Sequence, residues 1–223
     1  SVWTMTSLIH YEKQIESLEI ELETQTDSLN CTIDSLKLEI DTLTWETELW
    51  DYEIKNQKIV HLDEYLKHIL VHAGIHPNWE ITEMLSLANL IEGSLRGEKC
   101  REFVKTLWSN SPDNWDKNLT QEQKLIFSVN VFTRMRYLKK DFSLDFDTKS
   151  HPENINCDNL IPWYEFSNNI YDKYKIIIGH WSTLGFRNKN NIISIDTGCA
   201  WGNKLTAIKL LKNMDIKKYE VSC

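Results

Sequence analysis

Along the first fifty residues, an apolar side chain returns at every seventh position: Ile15, Leu22, Leu29, Leu36, Leu43 and Trp50. Ile33, Ile40 and Ile54 flank this stripe, and the spacing predicts one face of a helix. Three residues beyond each stripe position the side chains are mostly polar (Gln25, Thr32, Glu39, Glu46, Glu53), so no paired apolar seam of a coiled coil is formed. A repeat supports the helix: Ile15–Thr24 is echoed by Ile33–Thr42, eighteen residues on, which is about five helical turns. Two stretches point the other way, because Leu18-Glu-Ile-Glu-Leu22 and Leu36-Lys-Leu-Glu-Ile40 alternate as strands do. Abundant Thr, Ser and Asp, with no Ala before Ala73, also weaken the helical preference. The helix is the favoured reading, as a solvated amphipathic segment carrying no chemistry.

From about residue 58 the pattern changes to alternating strands and helices. Ile69-Leu-Val-His72 predicts a short buried strand that meets a loop at Ala73-Gly74. Ile81, Met84, Leu85, Ala88 and Ile91 fall on helical spacing within Glu80–Ile91, and Glu98–Trp108, Gln121–Leu138 and Trp163–Tyr171 also read as helical. Tyr174–Ile178, Ile192–Asp196 and Leu205–Leu210 are strand-like runs separated by glycine-containing turns. A strand, a helical block and then clustered strands predict an α/β layer fold with a helical insertion.

Composition sharpens the boundary between these territories. All seven glycines lie at Gly74 or later and all four prolines at Pro77 or later. Residues 1–54 carry thirteen acids against Lys13 and Lys37, a balance of −11, so the net −8 of the chain leaves +3 on the remainder. We therefore divide the chain into an acidic segment, residues 1–55, and a folded domain, residues 56–223. The acidic segment repels nucleic acid and anionic membranes, and neither is expected as a partner. No run is long and apolar enough to span a bilayer and no basic-then-apolar leader is present, so a cytoplasmic location is expected. The five cysteines are scattered without a C-x-x-C pair, which predicts free thiols.

Candidate chemistry sits at the strand ends. His72 follows Ile69-Leu-Val71 and precedes Ala73-Gly74; His180 follows Ile176-Ile-Ile-Gly179 and precedes Trp181. An imidazole at the end of an apolar strand faces the crevice where open sheets bind ligands, and two on neighbouring strands can share a metal. Each alone is more readily a structural histidine, and their matching settings weaken that reading without removing it. Arg134 and Arg136, two residues apart, suit a polyanion if the segment ends a helix, and otherwise are surface charges. Asp196, in Asp196-Thr-Gly-Cys-Ala-Trp-Gly202, either orients a histidine or caps its own turn. Cys199 lacks a nearby base and reads as a packing residue. Trp79, Trp115, Trp163, Tyr164, Trp181 and Trp201 hold candidates for base stacking, although most such aromatics build cores.

Together these stretches carry a resemblance. Val71-His-Ala-Gly-Ile-His-Pro-Asn-Trp79, Asn110-Ser-Pro-Asp-Asn-Trp115, Val131-Phe-Thr-Arg-Met-Arg-Tyr137, Pro162-Trp-Tyr164, Gly179-His-Trp181 and Asp196-Thr-Gly-Cys-Ala-Trp-Gly202 resemble, in order, the motifs of bacterial symmetrical diadenosine tetraphosphatases. The resemblance covers about three quarters of the chain and matches the C-terminal half of that family. It implies part of a four-layered metallophosphoesterase sandwich and hydrolysis of diadenosine tetraphosphate to two ADP, using divalent Mn, Co or Mg. It implies that His72 and His180 are ligands of one metal, that Arg134 and less surely Arg136 bind the polyphosphate, and that Asp196 stands behind a ligand. Trp163, Tyr164 and Trp181 become the candidates for stacking a base.

The family's first half carries G-D-x-H-G, G-D-x-V-x-R-G and G-N-H-D, which supply the remaining ligands. No residue before Gly74 is glycine, so no intact copy of these motifs is present. The expectation is a chain with little turnover by itself. Three readings are open: a truncated chain (a fragment or misjoined reading frame of such a hydrolase), a chain complemented by a separate N-terminal half, or a noncatalytic nucleotide-binding or self-associating remnant.

Overall fold

The computed structural model describes the backbone of residues 2–223, with side chains described at 14–44, 52, 55–212 and 214–223. The chain divides into two compact units, Ser1–Ile54 and Lys55–Cys223.

Helix α1 (Val2–Asn56) runs through the first unit and ends just past its boundary, and every residue from 14 to 44 is exposed. The hydroxyls of Thr24, Thr26, Thr32, Ser35, Thr42 and Thr44 each donate to the carbonyl four residues earlier, at 2.8–3.0 Å. Side chains that usually compete with helical hydrogen bonds are thus absorbed into the ladder. The alternating stretches at 18–22 and 36–40 are helical too, since a local i to i−4 bond needs no partner strand. Trp50 and Ile54 of the apolar stripe lie outside the residues with described side chains.

The second unit is mixed α/β. It begins with the antiparallel pair β1 (Val60–Asp63) and β2 (His68–Val71), registered Val60 to Val71. Helices α2 (Ile81–Arg96), α3 (Cys100–Thr106) and α4 (Gln121–Arg134) follow. Three short strands, β3 (Tyr137–Lys139), β4 (Leu144–Asp145) and β5 (Leu160–Pro162), form a small sheet in the order β4-β3-β5. Then come α5 (Asn169–Lys173), β6 (Lys175–Ile178), β7 (Arg187–Lys189) and β8 (Ile192–Ser194). The hairpin β9 (Lys204–Leu210) and β10 (Ile216–Ser222) ends the unit.

The principal sheet has the order β1-β2-β6-β8-β7. Its centre is parallel, β2 to β6 and β6 to β8, and only the outer strands are antiparallel. Central parallel strands read as unbroken apolar runs, as Ile69–Val71 and Ile176–Ile178 do; Ile176–Ile178 is buried throughout, whereas Leu70 of β2 is exposed.

Helix α4 starts on a capping box: the Gln123 amide donates to Thr120 Oγ1 at 3.2 Å, and the Thr120 amide donates to Gln123 Oε1 at 3.0 Å. It stops at Arg134, four residues before the predicted end, because Tyr137–Lys139 pairs with β5. That pairing buries Tyr137 and Leu138 in the core, and a sequence pattern of helical period does not report it. Ring contacts of Trp79 with Trp115, Phe127 and Phe132, at centroid distances of 5.3–6.1 Å, tie the segment before α2 to α4. Gly74 marks the closest approach: a Cβ there would lie 2.7 Å from both Met135 Cε and Trp163 Cε2.

One expectation is corrected. Cys199 and Cys223 form a disulfide, with Cα atoms 5.4 Å apart, while Cys31, Cys100 and Cys157 are free. Their 24-residue separation hid the pair, because the β9-β10 hairpin turns the chain back on itself. The Cys223 amide donates to the Asn203 carbonyl at 2.9 Å, which sets the two cysteines side by side.

Candidate functional site

Three polar side chains emerge at the same end of the parallel strands. His72 directly follows β2, His180 lies two residues beyond β6, and Asp196 lies two residues beyond β8. Since β2, β6 and β8 are parallel neighbours, their C-terminal ends share one edge of the sheet, where open α/β sheets place their ligands. The imidazoles of His72 and His180 stand 5.0 Å apart, centroid to centroid.

His180 has a left-handed backbone, with φ 59°, rare for a residue bearing a side chain. Such a conformation costs on the order of 1–3 kcal/mol and is concentrated at functional sites. Its Nε2 lies 3.2 Å from the Arg134 carbonyl, which can only accept, so Nε2 carries the proton. Nδ1 keeps its lone pair. Burial, and then the positive charge of Arg136, hold the His180 pKa down to about 4. His72 is also held below the ordinary histidine value, first by desolvation of its ring, although the residue is exposed, with the Asp196 carboxylate opposing. Both rings are therefore neutral near pH 7, the form that ligates a metal.

The two arginines separate. Arg134 is engaged elsewhere: its Nη1 donates to Asn130 Oδ1 at 2.9 Å, and its guanidinium lies over the Phe146 ring at 4.4 Å. Arg136 lies beside the histidines, with Nη2 donating to the His180 carbonyl at 3.1 Å. Its buried Nε has no hydrogen-bond partner among the described residues. Asp196 does cap its own turn, accepting from the Gly198 amide at 3.0 Å, and its charge reaches both histidines and Arg136. The two readings of Asp196 are therefore not exclusive.

Trp163, Tyr164 and Trp181 all lie in the core. Of the aromatics named from the sequence, Trp201 is the open one, 79% exposed. It borders a cavity of about 490 Å³ with Arg136, Lys149, Trp181 and Asn203. Lys149 and Asn203 were not singled out from the sequence. The glycines on both sides of Trp201 were a usable signal for that turn, whereas nothing around Lys149 marks it.

The donor set fits one half of a metal centre: two neutral imidazoles, one with a fixed tautomer. Among the described residues no group of three His, Cys, Asp or Glu side chains is placed to hold an ion. Imidazole nitrogen is a common ligand of divalent metals and guanidinium pairs with oxyanions, and here an imidazole pair stands beside a half-buried arginine.

Similarity to known proteins names that class more closely. No family profile matches the chain. It is 36% identical over 176 residues to the symmetrical bis(5'-nucleosyl)-tetraphosphatase of Nitrosospira multiformis, covering 79% of this chain and 62% of that protein. The proteins of the same name from Neisseria meningitidis and Glaesserella parasuis are 44% and 40% identical over 142 residues, 64% and 63% of this chain. Over the matched residues the chain is similar to symmetrical bis(5'-nucleosyl)-tetraphosphatases. It spans 51–62% of the length of these relatives.

Proposed function

We propose that this chain carries part of the site of a metal-dependent hydrolase that cleaves diadenosine tetraphosphate into two ADP. The observation that carries the reading is the convergence of His72 and His180 at the ends of two parallel neighbouring strands, 5.0 Å apart. The names of its relatives supply the substrate class. We further propose that the domain is part of a four-layered metallophosphoesterase sandwich and works in the cytoplasm. Among the described residues, no helix is long and apolar enough to cross a membrane.

His72 and His180 Nδ1 would hold one divalent ion, Mn, Co or Mg. The bound ion supplies Lewis acidity and charge neutralisation at the phosphoanhydride. The Arg134 carbonyl fixes the proton of His180 at Nε2, which leaves the Nδ1 lone pair as the one that would ligate the ion. Arg136, anchored by its Nη2 to the His180 carbonyl, would orient a phosphate, and its charge would stabilise the negative charge that develops there. Arg134, occupied by Asn130 and Phe146, would act through its carbonyl instead.

Two imidazoles without a bridging carboxylate hold an ion weakly, so the chain by itself should release little or no ADP. The test measures ADP release from diadenosine tetraphosphate with Mn²⁺ or Co²⁺ added, beside the His72→Ala and His180→Ala proteins. Turnover that both substitutions abolish would sink the incompleteness, while leaving the hydrolase. Restoration of turnover by adding an N-terminal half of a relative would support a complemented site. A second reading, self-association without catalysis, draws on the exposed Ile15, Leu22, Leu29, Leu36 and Leu43 of α1. Light scattering that finds only monomers would remove it.

A further inference from the structure

We propose that one face of α1 docks an amphipathic helix of a partner protein, apolar along one stripe and carrying Lys or Arg on both flanks. Nothing in this depends on the polyphosphate reading.

The docking stripe follows the eighteen-residue repeat rather than the seven-residue one. Ile15, Leu18 and Leu22 recur as Ile33, Leu36 and Ile40, with Leu29 between them. Eighteen residues make about five whole turns of an α-helix, so the second set stands in line with the first. At about 100° per residue all these side chains fall within an arc of about 60°, along about 38 Å of helix axis. Gln25 and Thr26 interrupt the stripe once. The apolar side chains are 46–66% exposed, on one continuous helix. A contiguous apolar surface of this extent, rimmed by charge, marks a place that another chain covers.

Charge decides what covers it. Residues 14–44 hold eight acids and one base, Lys37, which is paired with Asp34 at 3.2 Å. Among the described residues no other acid of this stretch forms an ion pair. On the helix, Glu19, Glu23 and Asp41 line one flank of the stripe, and Glu21 and Glu39 line the other. A second copy of α1 would therefore meet like charge in either orientation: in a parallel pair the Glu19 flank faces the Glu21 flank, and in an antiparallel pair each flank faces its own kind. Such flanking charges select the partner, and these select against the chain itself and for a cationic helix. The apolar stripe supplies the affinity, and the carboxylates supply the specificity.

The test titrates the full chain, by calorimetry, with two synthetic helical peptides of about 28 residues, matched to the length of the stripe. Both carry the same leucine stripe, one flanked by Lys and the other by Glu. The Lys-flanked peptide should bind at least about tenfold tighter, and should weaken severalfold as salt rises from about 0.05 M to about 0.5 M. Leu29→Gln should weaken it about tenfold, whereas Ile20→Gln, as exposed but on the opposite face, should leave it within about twofold. Gln suits a helix about as well as Leu, and circular dichroism confirms that α1 is intact in both variants. Equal binding of the two peptides, binding of neither, or an unchanged affinity in Leu29→Gln overturns the proposal. So does a dimer of the chain at low salt that Leu29→Gln splits, since a second copy then covers the stripe.

Discussion

Helix α1 and the domain that follows it use apolar residues in opposite ways. In α1, Leu22, Leu29 and Leu36 recur with full regularity and stay more than half exposed. In the domain, Trp79, Phe127 and Phe132 follow no simple period and are almost fully buried. Regular spacing is thus a statement about local geometry, and burial depends on partners that lie far away in sequence. The helix holds itself with backbone bonds and, among the described residues, six hydroxyl back-bonds, whereas the domain is held by packing.

Substitutions should expose that contrast most strongly. Trp79→Ala is expected to destabilise the domain by about 3–5 kcal/mol, against less than about 0.5 kcal/mol for Leu29→Ala, in urea unfolding. Equal losses would mean that Leu29 is covered by something and that the contrast is false.

Acid should act on the domain through His76. This ring is fully buried, Nε2 faces the Phe142 carbonyl at 3.2 Å, and Nδ1 receives the Asn78 amide at 3.4 Å. A second proton would turn Nδ1 into a donor pointing at a donor. Burial holds the folded pKa at about 4, below the value of 6.5 expected of the unfolded chain. Its stabilisation is therefore complete above pH 6.5 and is lost as pH falls towards 4, by about 3 kcal/mol in total. His68, also buried, shifts in the same direction for the same leading reason, with the Leu66 backbone opposing. Stability that stays flat from pH 7 to 4.5, or a His76 ring seen by NMR to titrate near pH 6.5, would contradict this.

A smaller effect is expected at Gly74. Gly74→Ala drives a methyl into Met135 and Trp163, with an expected cost of about 1–3 kcal/mol. An unchanged midpoint would show that Met135 moves aside without loss. In α1, Thr32→Ala should raise helicity by only a few tenths of a kcal/mol, read by circular dichroism, since Ala favours helix and the lost back-bond to Ser28 contributes little. A fall in helicity would show that these hydroxyls hold the helix.

The same contrast explains what was legible in the sequence. Segments whose structure follows from local period were found: Ile81–Ile91 falls within α2, and the runs at 69–72, 174–178 and 192–196 became β2, β6 and β8. Segments fixed by distant pairing were not: β3 took residues assigned to the end of α4, and the predicted helix at Trp163–Tyr171 is a short 3₁₀ turn followed by α5. In the site, His72, His180 and Asp196 stood out because strand ends can be read from apolar runs. Arg136 was ranked below Arg134, and only the turn after α4 shows which guanidinium meets His180. The Cys199–Cys223 pair was invisible for a related reason: a hairpin, and not a local motif, brings the two together.

The parallel centre of the sheet has a metric consequence. Neighbouring strands are held about 4.8 Å apart by their peptide hydrogen bonds, close to the 5.0 Å between the two imidazoles. The ladder brings the two backbones together up to the site, since the Gly179 amide still donates to the His72 carbonyl at 2.9 Å, and the left-handed turn at His180 then decides where its ring stands.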